Sequence, residues 1–200
     1  MDLAERVKAI CLRPKETWGV VKGEQTTVKE LFTSYAGILA VIPPIATFIG
    51  FSIVGVRIPL LGTWRQPLLN GLVHAVVYYI LSLVGVYVTA YIADRLATKF
   101  DSRQDLTSAT KAVVFSMTPV WIVSILYIIP GLSILVMVAG LYSLYLLYLG
   151  LPAMMDTPPE KRLGYVVVVI IASIVVMFIV SLIAGLFLAP AHVGRIDFRQ

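Results

Sequence analysis

Four long stretches of this chain contain no Asp, Glu, Lys or Arg: Leu31–Val56, Gln66–Ala93, Ala112–Met155 and Leu163–Gly194. A helix needs about 20 apolar residues to cross the ~30 Å hydrocarbon core of a bilayer, and every stretch is longer than that. The third stretch is long enough to cross twice, and Pro130-Gly131 near its middle supplies a turn. The pattern therefore predicts five membrane-spanning helices.

The predicted architecture is an all-α polytopic membrane protein that begins with an amphipathic cytosolic segment. Apolar residues make up 59% of the chain and charged residues 14%, against roughly 25% charged residues in a soluble domain, so no room is left for a separate soluble domain. We expect a cytosolic tail over 1–33, a membrane domain over 34–188 and a short outer tail over 189–200. The predicted spans are Ser34–Val56, Leu68–Ala93, Thr110–Ile129, Leu132–Leu151 and Leu163–Leu188.

The distribution of basic residues predicts the orientation. With the N-terminus in the cytoplasm, twelve Lys and Arg residues fall in inner segments and four in outer ones, which is the bias of cytoplasmic loops. The sequence therefore predicts a bacterial cytoplasmic-membrane protein with its N-terminus inside and its C-terminus outside. The net charge of +5 is spread over tails and loops without a basic patch, so we expect no nucleic-acid partner.

The predicted N-terminal tail contains two short helices. Leu3, Val7, Ile10 and Cys11 recur on one helix face, with Asp2, Glu5, Arg6 and Lys8 assigned elsewhere, and Pro14 breaks this helix. A second helix, ended by Gly23, is expected to face the membrane with Trp18 and Val21. The segment either lies in the headgroup layer or packs on the protein's own inner face. The residues expected to contact the inner surface are Trp18, Arg13, Lys15 and Lys161.

Polar residues inside the spans are candidate functional groups because they are costly in a bilayer. His74 could be a proton relay or a metal ligand, although a hydrogen-bonded interfacial histidine is the preferred interpretation. Tyr91 and Asp94 share a face at the inner end of the second span. Tyr142, Tyr145 and Tyr148 form a stripe on the fourth span, interpreted as packing or as an internal polar seam. Lys111 is expected to reach towards the inner surface by snorkelling.

No arrangement of residues in the sequence predicts catalysis. There is no Ser/His/Asp set on one side of the membrane, no Gly-rich phosphate loop, no HExxH and no CxxC. We therefore expect a protein that is not an enzyme and that has no cofactor and no metal site.

The segment Gly140–Tyr165 reads GLYSLYLLYLGLPAMMDTPPEKRLGY. Together with Thr118-Pro119-Val120-Trp121, the Pro130-Gly131 turn and five spans, it resembles the bacterial branch of the Yip family, the Ypt/Rab-interacting proteins. The N-terminal RPKETWGVVKGEQTTVKELFTSY is similar to the same branch. The resemblance implies a five-helix fold with a cytosolic N-terminus. Eukaryotic members bind lipidated Rab-type GTPases, but their Asp-Leu-Tyr-Gly-Pro motif is not found in this sequence.

The resemblance also implies where the signature residues meet. They are Tyr142, Tyr145, Tyr148, Gly150, Pro152, Pro158, Lys161, Gly164 and Tyr165, with Thr118 and Pro119 opposite. Pro119 would leave a backbone carbonyl in the third span without its helical donor, and a tyrosine hydroxyl of the fourth span could donate to it.

Two functions follow from these observations. The first is a non-enzymatic membrane organiser or adaptor that binds other membrane proteins, or itself, through small-residue faces and its inner-surface tail and loops. The alternative is a channel or transporter for a small solute or ion, which would act as a homo-oligomer because five helices make a thin wall for a pore.

Overall fold

Five long apolar helices dominate the structure, a computed structural model that describes residues 2–58 and 62–187 and the backbone of 195–197. Each is long and apolar enough to cross a membrane, which confirms the predicted five-helix class. They are α3 (Val28–Val54), α4 (Leu68–Phe100), α5 (Leu106–Ile128), α6 (Pro130–Met154) and α7 (Pro159–Gly185). Two short helices, α1 (Leu3–Leu12) and α2 (Pro14–Gly23), precede them.

The helices extend beyond several of the predicted bounds. α3 begins at Val28, where Thr27 and Glu30 form a capping box, and α4 continues past Ala93 to Phe100. Each of these ends carries charged residues, so it lies outside the charge-free stretches from which the spans were predicted. Leu188 and most of the predicted tail 189–200 lie outside the described residues.

Small residues let α4 and α5 pack closely against their neighbours. α4 packs along α7 and α5, and α5 packs along α6. Ala90, Ala93 and Ala97 of α4 and Ala109 and Ala112 of α5 are fully buried. Alanine at such positions lets helix backbones approach closely, which is how helices associate inside a bilayer.

The first span, α3, is the least regular of the five. It contains a π-helical turn over Phe32–Ala36, a break at Ala40 and Val41, and a second π-helical turn over Ile49–Val54. The sequence predicts a kink at Pro43-Pro44, and a new helical segment begins at Ile42 directly before these prolines. Proline is tolerated in a first helical turn because its missing N–H has no partner there.

The two N-terminal helices pack on the bundle at the end where α3 and α5 begin, which we call the helix-pair end. α2 contacts α6, and Ile10, Trp18 and Val21 belong to the main hydrophobic core. The prediction that Trp18 and Val21 face the membrane is therefore wrong, and the alternative of packing on the protein itself is correct. Gly150 of α6 explains this, since its missing side chain leaves room for the Trp18 ring.

The opposite end carries a small antiparallel sheet that the sequence did not predict, and we call it the sheet end. β1 (Val56–Ile58) pairs with β2 (Gly62–Arg65), and β2 pairs with β3 (Arg195–Asp197). Gly55 precedes β1 at φ 87°, a left-handed conformation that favours glycine and turns the chain out of α3. The sheet therefore joins the connection between α3 and α4 to the chain that follows α7.

Candidate functional site

Arg6 is buried at the helix-pair end, with 6% of its surface exposed. Its Nη2 pairs with the Glu24 carboxylate, and its guanidinium lies over the Phe115 ring at 5.6 Å from the centroid. The Nη1 atom is buried and has no hydrogen-bond acceptor among the described residues. A buried donor without an acceptor is costly and uncommon, which marks this guanidinium as a candidate ligand-binding group.

The assignment of Arg6 away from the apolar face of α1 was wrong. Arg6 follows Leu3 by three residues and precedes Ile10 by four, so it belongs to the face that packs on the bundle. The same spacing rule that identified Leu3 and Ile10 could have identified Arg6.

The side chain of Lys111 of α5 binds the C-terminal end of α2. Its Nζ donates hydrogen bonds to the backbone carbonyl oxygens of Val21, at 3.0 Å, and Glu24, at 2.5 Å, and the side chain is buried. The predicted snorkelling to the surface is therefore wrong. The carbonyl groups at the C-terminal end of a helix lack helical donors and carry partial negative charge, so a buried ammonium is well placed there.

Tyr35 lies in the π-helical turn of α3 and faces the same region. Its hydroxyl shares a hydrogen bond of 2.8 Å with Thr118 Oγ1 of α5, and its ring packs edge-on against Phe115 with centroids 4.8 Å apart. Single π-helical turns are rare and occur frequently at functional sites. Tyr35 and Phe115 therefore connect the irregular part of α3 to Arg6.

These side chains border a cavity of about 550 Å³ that lies between α1, α3, α5 and the connection from α2 to α3. We call it the Arg6 cavity. Its polar residues are Asp2, Arg6, Glu24, Gln25, Thr26 and Ser34, and its other lining residues are Leu3, Leu31, Tyr35 and Phe115. The cavity thus has a charged side and a largely apolar side, an arrangement suited to a small ligand of mixed polarity.

The structure does not bring the three predicted tyrosines of α6 together at Pro119. Tyr142 is half-buried and donates a hydrogen bond of 2.8 Å to the Cys11 carbonyl of α1, whereas Tyr145 and Tyr148 are exposed. At the proline itself, the neighbouring Val120 N–H donates to Ser143 Oγ at 3.3 Å. The predicted internal seam is therefore wrong, because a helix face 120° wide turns two of the three tyrosines outward.

Thr118, which was expected opposite the signature residues, makes its side-chain hydrogen bond to α3. Thr118 is fully buried next to Pro119, and its hydroxyl meets Tyr35 of α3 instead of a tyrosine of α6. Sequence analysis missed Tyr35 because nothing in the chain indicates a π-helical turn there.

Tyr91 and Asp94 do not form one site although they share a face of α4. Tyr91 is exposed and lies under the Arg95 guanidinium, 4.9 Å from the ring centroid. Asp94 is buried, and its Oδ2 accepts a hydrogen bond of 3.2 Å from Gln104 Nε2. Its carboxylate therefore helps to hold the connection between α4 and α5.

His74 lies near the sheet end, far along the chain from the other candidates. Its ring stacks on that of Tyr78 with centroids 6.0 Å apart. No group of three or more His, Cys, Asp or Glu side chains in the described part of the chain could hold a metal ion.

Three of the four residues expected at the inner surface are exposed at the helix-pair end. They are Arg13, Lys15 and Lys161, and only Trp18 is buried. Lys161 lies 3.8 Å from the Asp101 carboxylate in the connection after α4.

Two groups outside the spans have shifted pKa values. Burial raises the pKa of the Cys11 thiol. At Asp105, burial acts to raise the pKa, but hydrogen bonds from Ser108 and Thr107 and the charge of Arg103 outweigh it and hold the pKa below its usual value. Asp105 caps α5, since its carboxylate accepts from the Thr107 N–H at 3.1 Å.

Comparison with known proteins places this architecture in a family. The model of the Yip1 domain matches residues 8–190, which is most of the chain. The chain belongs to the Yip1 domain family. This confirms the resemblance seen in the sequence. The match begins after Arg6 and includes Glu24, Tyr35 and Lys111, so the Arg6 cavity is built partly from residues that precede the matched region.

The curated relatives of this Yip1 domain protein include the inner membrane protein YohC of Escherichia coli strain K12. The two are 26% identical over 155 residues, which cover 76% of this chain and 80% of YohC. YohC of a second strain, Escherichia coli O6:H1, matches equally well. Neither the family's name nor the relative's name designates an enzyme. No solved structure matches the chain.

Proposed function

We propose that this Yip1 domain protein is a non-enzymatic organiser of a bacterial inner membrane that binds other membrane proteins, or a second copy of itself, at its helix-pair end. The relative's designation as an inner membrane protein supports the location. The count of basic residues supports a cytoplasmic N-terminus, which would place the helix-pair end in the cytoplasm.

The observation that carries this proposal is that the segments at the helix-pair end are joined into one surface. Lys22 of α2 pairs with Asp156 in the connection after α6, and Lys161 lies 3.8 Å from Asp101 in the connection after α4. Exposed ion pairs contribute little stability individually, so their value here is in fixing geometry.

Hydrogen bonds also join the connection after α4 directly to the connection after α6. The Arg103 N–H donates to the Met155 carbonyl at 2.8 Å, and Ser102 Oγ donates to Thr157 Oγ1 at 2.9 Å in a buried position. We call the joined segments, α1, α2, the connections 101–105 and 155–158 and the first turn of α7, the platform. A preorganised surface loses less entropy on binding than mobile loops do, which favours partner binding.

The platform also exposes the residue types that a partner would contact. Leu12 is 70% exposed and Val20 53% exposed, and Arg13 and Lys15 lie exposed between them in the chain. Apolar residues beside basic ones favour contact with an acidic or amphipathic surface.

Site-specific photocrosslinking in native membranes tests the proposal. In a Cys11→Ser background, a single cysteine at Leu12 would carry a benzophenone, and the matched control would carry it at Leu182, an exposed apolar residue of α7 near the sheet end. We expect discrete protein adducts from position 12, with either a second copy or another membrane protein, and only lipid adducts from position 182. Lipid adducts alone from both positions would contradict the proposal.

The channel alternative has lost the observation that most favoured it. Tyr145 and Tyr148 are exposed on the surface of α6, so they do not line a pathway through the interior of the single chain. Several buried hydroxyls of the bundle donate to carbonyls of their own helices, as Thr89 does to Gly85 and Ser116 to Ala112. Hydroxyls bonded in this way offer little to a permeating ion.

A further inference from the structure

We propose that the Arg6 cavity binds a zwitterionic phosphoethanolamine group, with its phosphate on the Arg6 guanidinium and its ammonium towards the carboxylates of Asp2 and Glu24. The inference goes beyond the proposed organiser function and does not depend on it. It rests on the unpartnered donor of Arg6, the charges of the lining residues and the division of the cavity into polar and apolar sides.

The unpartnered donor of Arg6 is the reason for proposing a phosphate in the cavity. The Nη2 atom of Arg6 pairs with the Glu24 carboxylate, while the buried Nη1 atom has no hydrogen-bond acceptor within residues 2–58 and 62–187. The same side chain borders the cavity. A guanidinium presents donors in a planar fork that matches phosphate geometry, and such charge-assisted hydrogen bonds are the strong ones in proteins. A phosphate in the cavity would supply the missing acceptor once the guanidinium turns its buried Nη1 towards the cavity.

The need for a cation comes from the other lining charges. The cavity contains two carboxylates, Asp2 and Glu24, and one guanidinium, so a purely anionic ligand would meet a lining of net negative charge. Asp2 is exposed, and its carboxylate accepts hydrogen bonds from backbone N–H groups of the first turn of α1, those of Leu3 and Glu5. A ligand that carries an ammonium next to its phosphate complements both signs of charge, which a phosphate alone does not.

The position of the cavity indicates a membrane lipid as the source of this group. Leu31 and Phe115 lie in the first half of α3 and α5, the spans that begin at the helix-pair end, and Tyr35 lies one turn beyond Leu31. The spans therefore supply most of the apolar lining, Leu31, Tyr35 and Phe115, while the charged lining residues come from the α1 segment and the connection from α2 to α3. A lipid headgroup occupies the same boundary between hydrocarbon and water.

Native mass spectrometry of the full-length protein in detergent tests this inference. The probes are palmitoyl-oleoyl phosphatidylethanolamine and the phosphatidylglycerol with the same acyl chains. We expect phosphatidylethanolamine to bind about tenfold more tightly or more, because the glycerol headgroup lacks the ammonium. Equal binding of the two lipids, or tighter binding of phosphatidylglycerol, would overturn the assignment.

Two variants test the phosphate contact and the ammonium contact separately. Arg6→Gln should weaken phosphatidylethanolamine binding about tenfold or more, because it removes the charge that holds the phosphate. Asp2→Asn keeps a side chain that caps α1 well and removes only the charge, so it should reduce the preference between the two lipids without altering the thermal unfolding temperature. Asp2→Asn keeps the test decisive if Arg6→Gln does not fold.

The matched control is Arg13→Gln, which removes an exposed arginine of the same helix pair that does not border the cavity. It should bind both lipids as the unmodified protein does. Free phosphoethanolamine distinguishes the source of the ligand. If it displaces the lipid at comparable concentration, the chemistry of the site is supported and the source is a soluble compound. Unchanged lipid binding by both Arg6→Gln and Asp2→Asn would refute the site.

Discussion

Lys111 of α5 donates two hydrogen bonds to the end of α2, one to the Val21 carbonyl and one to the Glu24 carbonyl. Glu24 in turn holds Arg6 of α1. One lysine of a membrane span therefore connects to both N-terminal helices, through a backbone contact and then through an ion pair. The N-terminal helices are consequently part of the folded core and not an appended tail.

Replacing Lys111 tests this connection. Lys111→Met keeps most of the side-chain volume and removes both charge-assisted hydrogen bonds, so we expect a loss of about 2–4 kcal/mol of stability. Thermal unfolding in detergent measures it, with roughly 2–4 °C expected for each kcal/mol. Lys99→Met, at an exposed lysine near the end of α4, is the control and should leave the unfolding temperature unchanged. Equal effects of the two substitutions would count against the connection.

The contact between Trp18 and Gly150 predicts a steric effect. A Cβ atom at Gly150 would lie 2.3 Å from Cζ2 of Trp18, so Gly150→Ala must displace the indole or the helix. We expect a loss of about 1–3 kcal/mol, as for other overpacked cores, measured by thermal unfolding.

Gly140 on the same helix provides the matched control. No atom lies within 4 Å of a Cβ built there, so Gly140→Ala should be neutral or stabilising by up to about 1 kcal/mol through helix propensity. Adding Trp18→Phe to Gly150→Ala should recover part of the loss, because the smaller ring leaves space for the new methyl group. If both alanine variants unfold at the same temperature, the proposed contact is incorrect.

The three tyrosines of α6 should respond differently to removal of their hydroxyl groups. Tyr142→Phe removes the hydrogen bond to the Cys11 carbonyl and should cost about 1 kcal/mol. Tyr145→Phe and Tyr148→Phe should be neutral within about 0.5 kcal/mol, because both side chains are exposed. Thermal unfolding of the three variants in one detergent checks this, and a uniform response would mean that the tyrosines act alike after all.

The lowered pKa of Asp105 predicts a pH-dependent contribution to stability. Because its pKa in the folded protein lies below the ordinary value of 3.8, Asp105 stabilises the fold above pH 3.8. This contribution is lost as the pH falls through the lower, folded-state pKa. We expect Asp105→Asn, which can still cap α5, to unfold at a lower temperature than the unmodified protein near neutral pH.

The difference in unfolding temperature between the unmodified protein and Asp105→Asn should shrink towards zero as the pH drops below 3.8. Unfolding temperatures measured across a series of pH values test this. Asp105→Ala loses the cap as well and should remain destabilised, by about 1 kcal/mol, at every pH. A constant difference between the unmodified protein and Asp105→Asn across this range would contradict the prediction.

The number and class of the helices follow from the sequence because bilayer thickness imposes a minimum length on every charge-free stretch. The turn at Pro130-Gly131 follows for the same local reason, since these residues disfavour a continuous helix. The ends of the helices were less predictable. α4 continues to Phe100 through the buried Asp94, whose carboxylate accepts from Gln104, and the exposed Arg95, which lies over the Tyr91 ring.

The candidate site could not be predicted because it depends on contacts between residues far apart in the chain. Arg6 was placed off the apolar face of α1 and Lys111 was expected to snorkel to the inner surface, yet each is buried against partners distant in the chain. Tryptophan is a residue type typical of the membrane surface. Trp18 is buried because Gly150, on a helix far away in the chain, leaves space for its ring. Tyr35 is positioned by a π-helical turn for which the sequence has no signal.

The pairing of β2 with β3 has a consequence for biogenesis. β3 follows the fifth span, whereas the hairpin of β1 and β2 follows the first, so the three-stranded sheet can form only after all five helices have been synthesised and inserted. A nascent chain arrested after four insertions would lack the third strand, and its hairpin would offer an open edge to other chains. Completion of this sheet is therefore a marker of finished assembly on the side of the membrane opposite the helix pair.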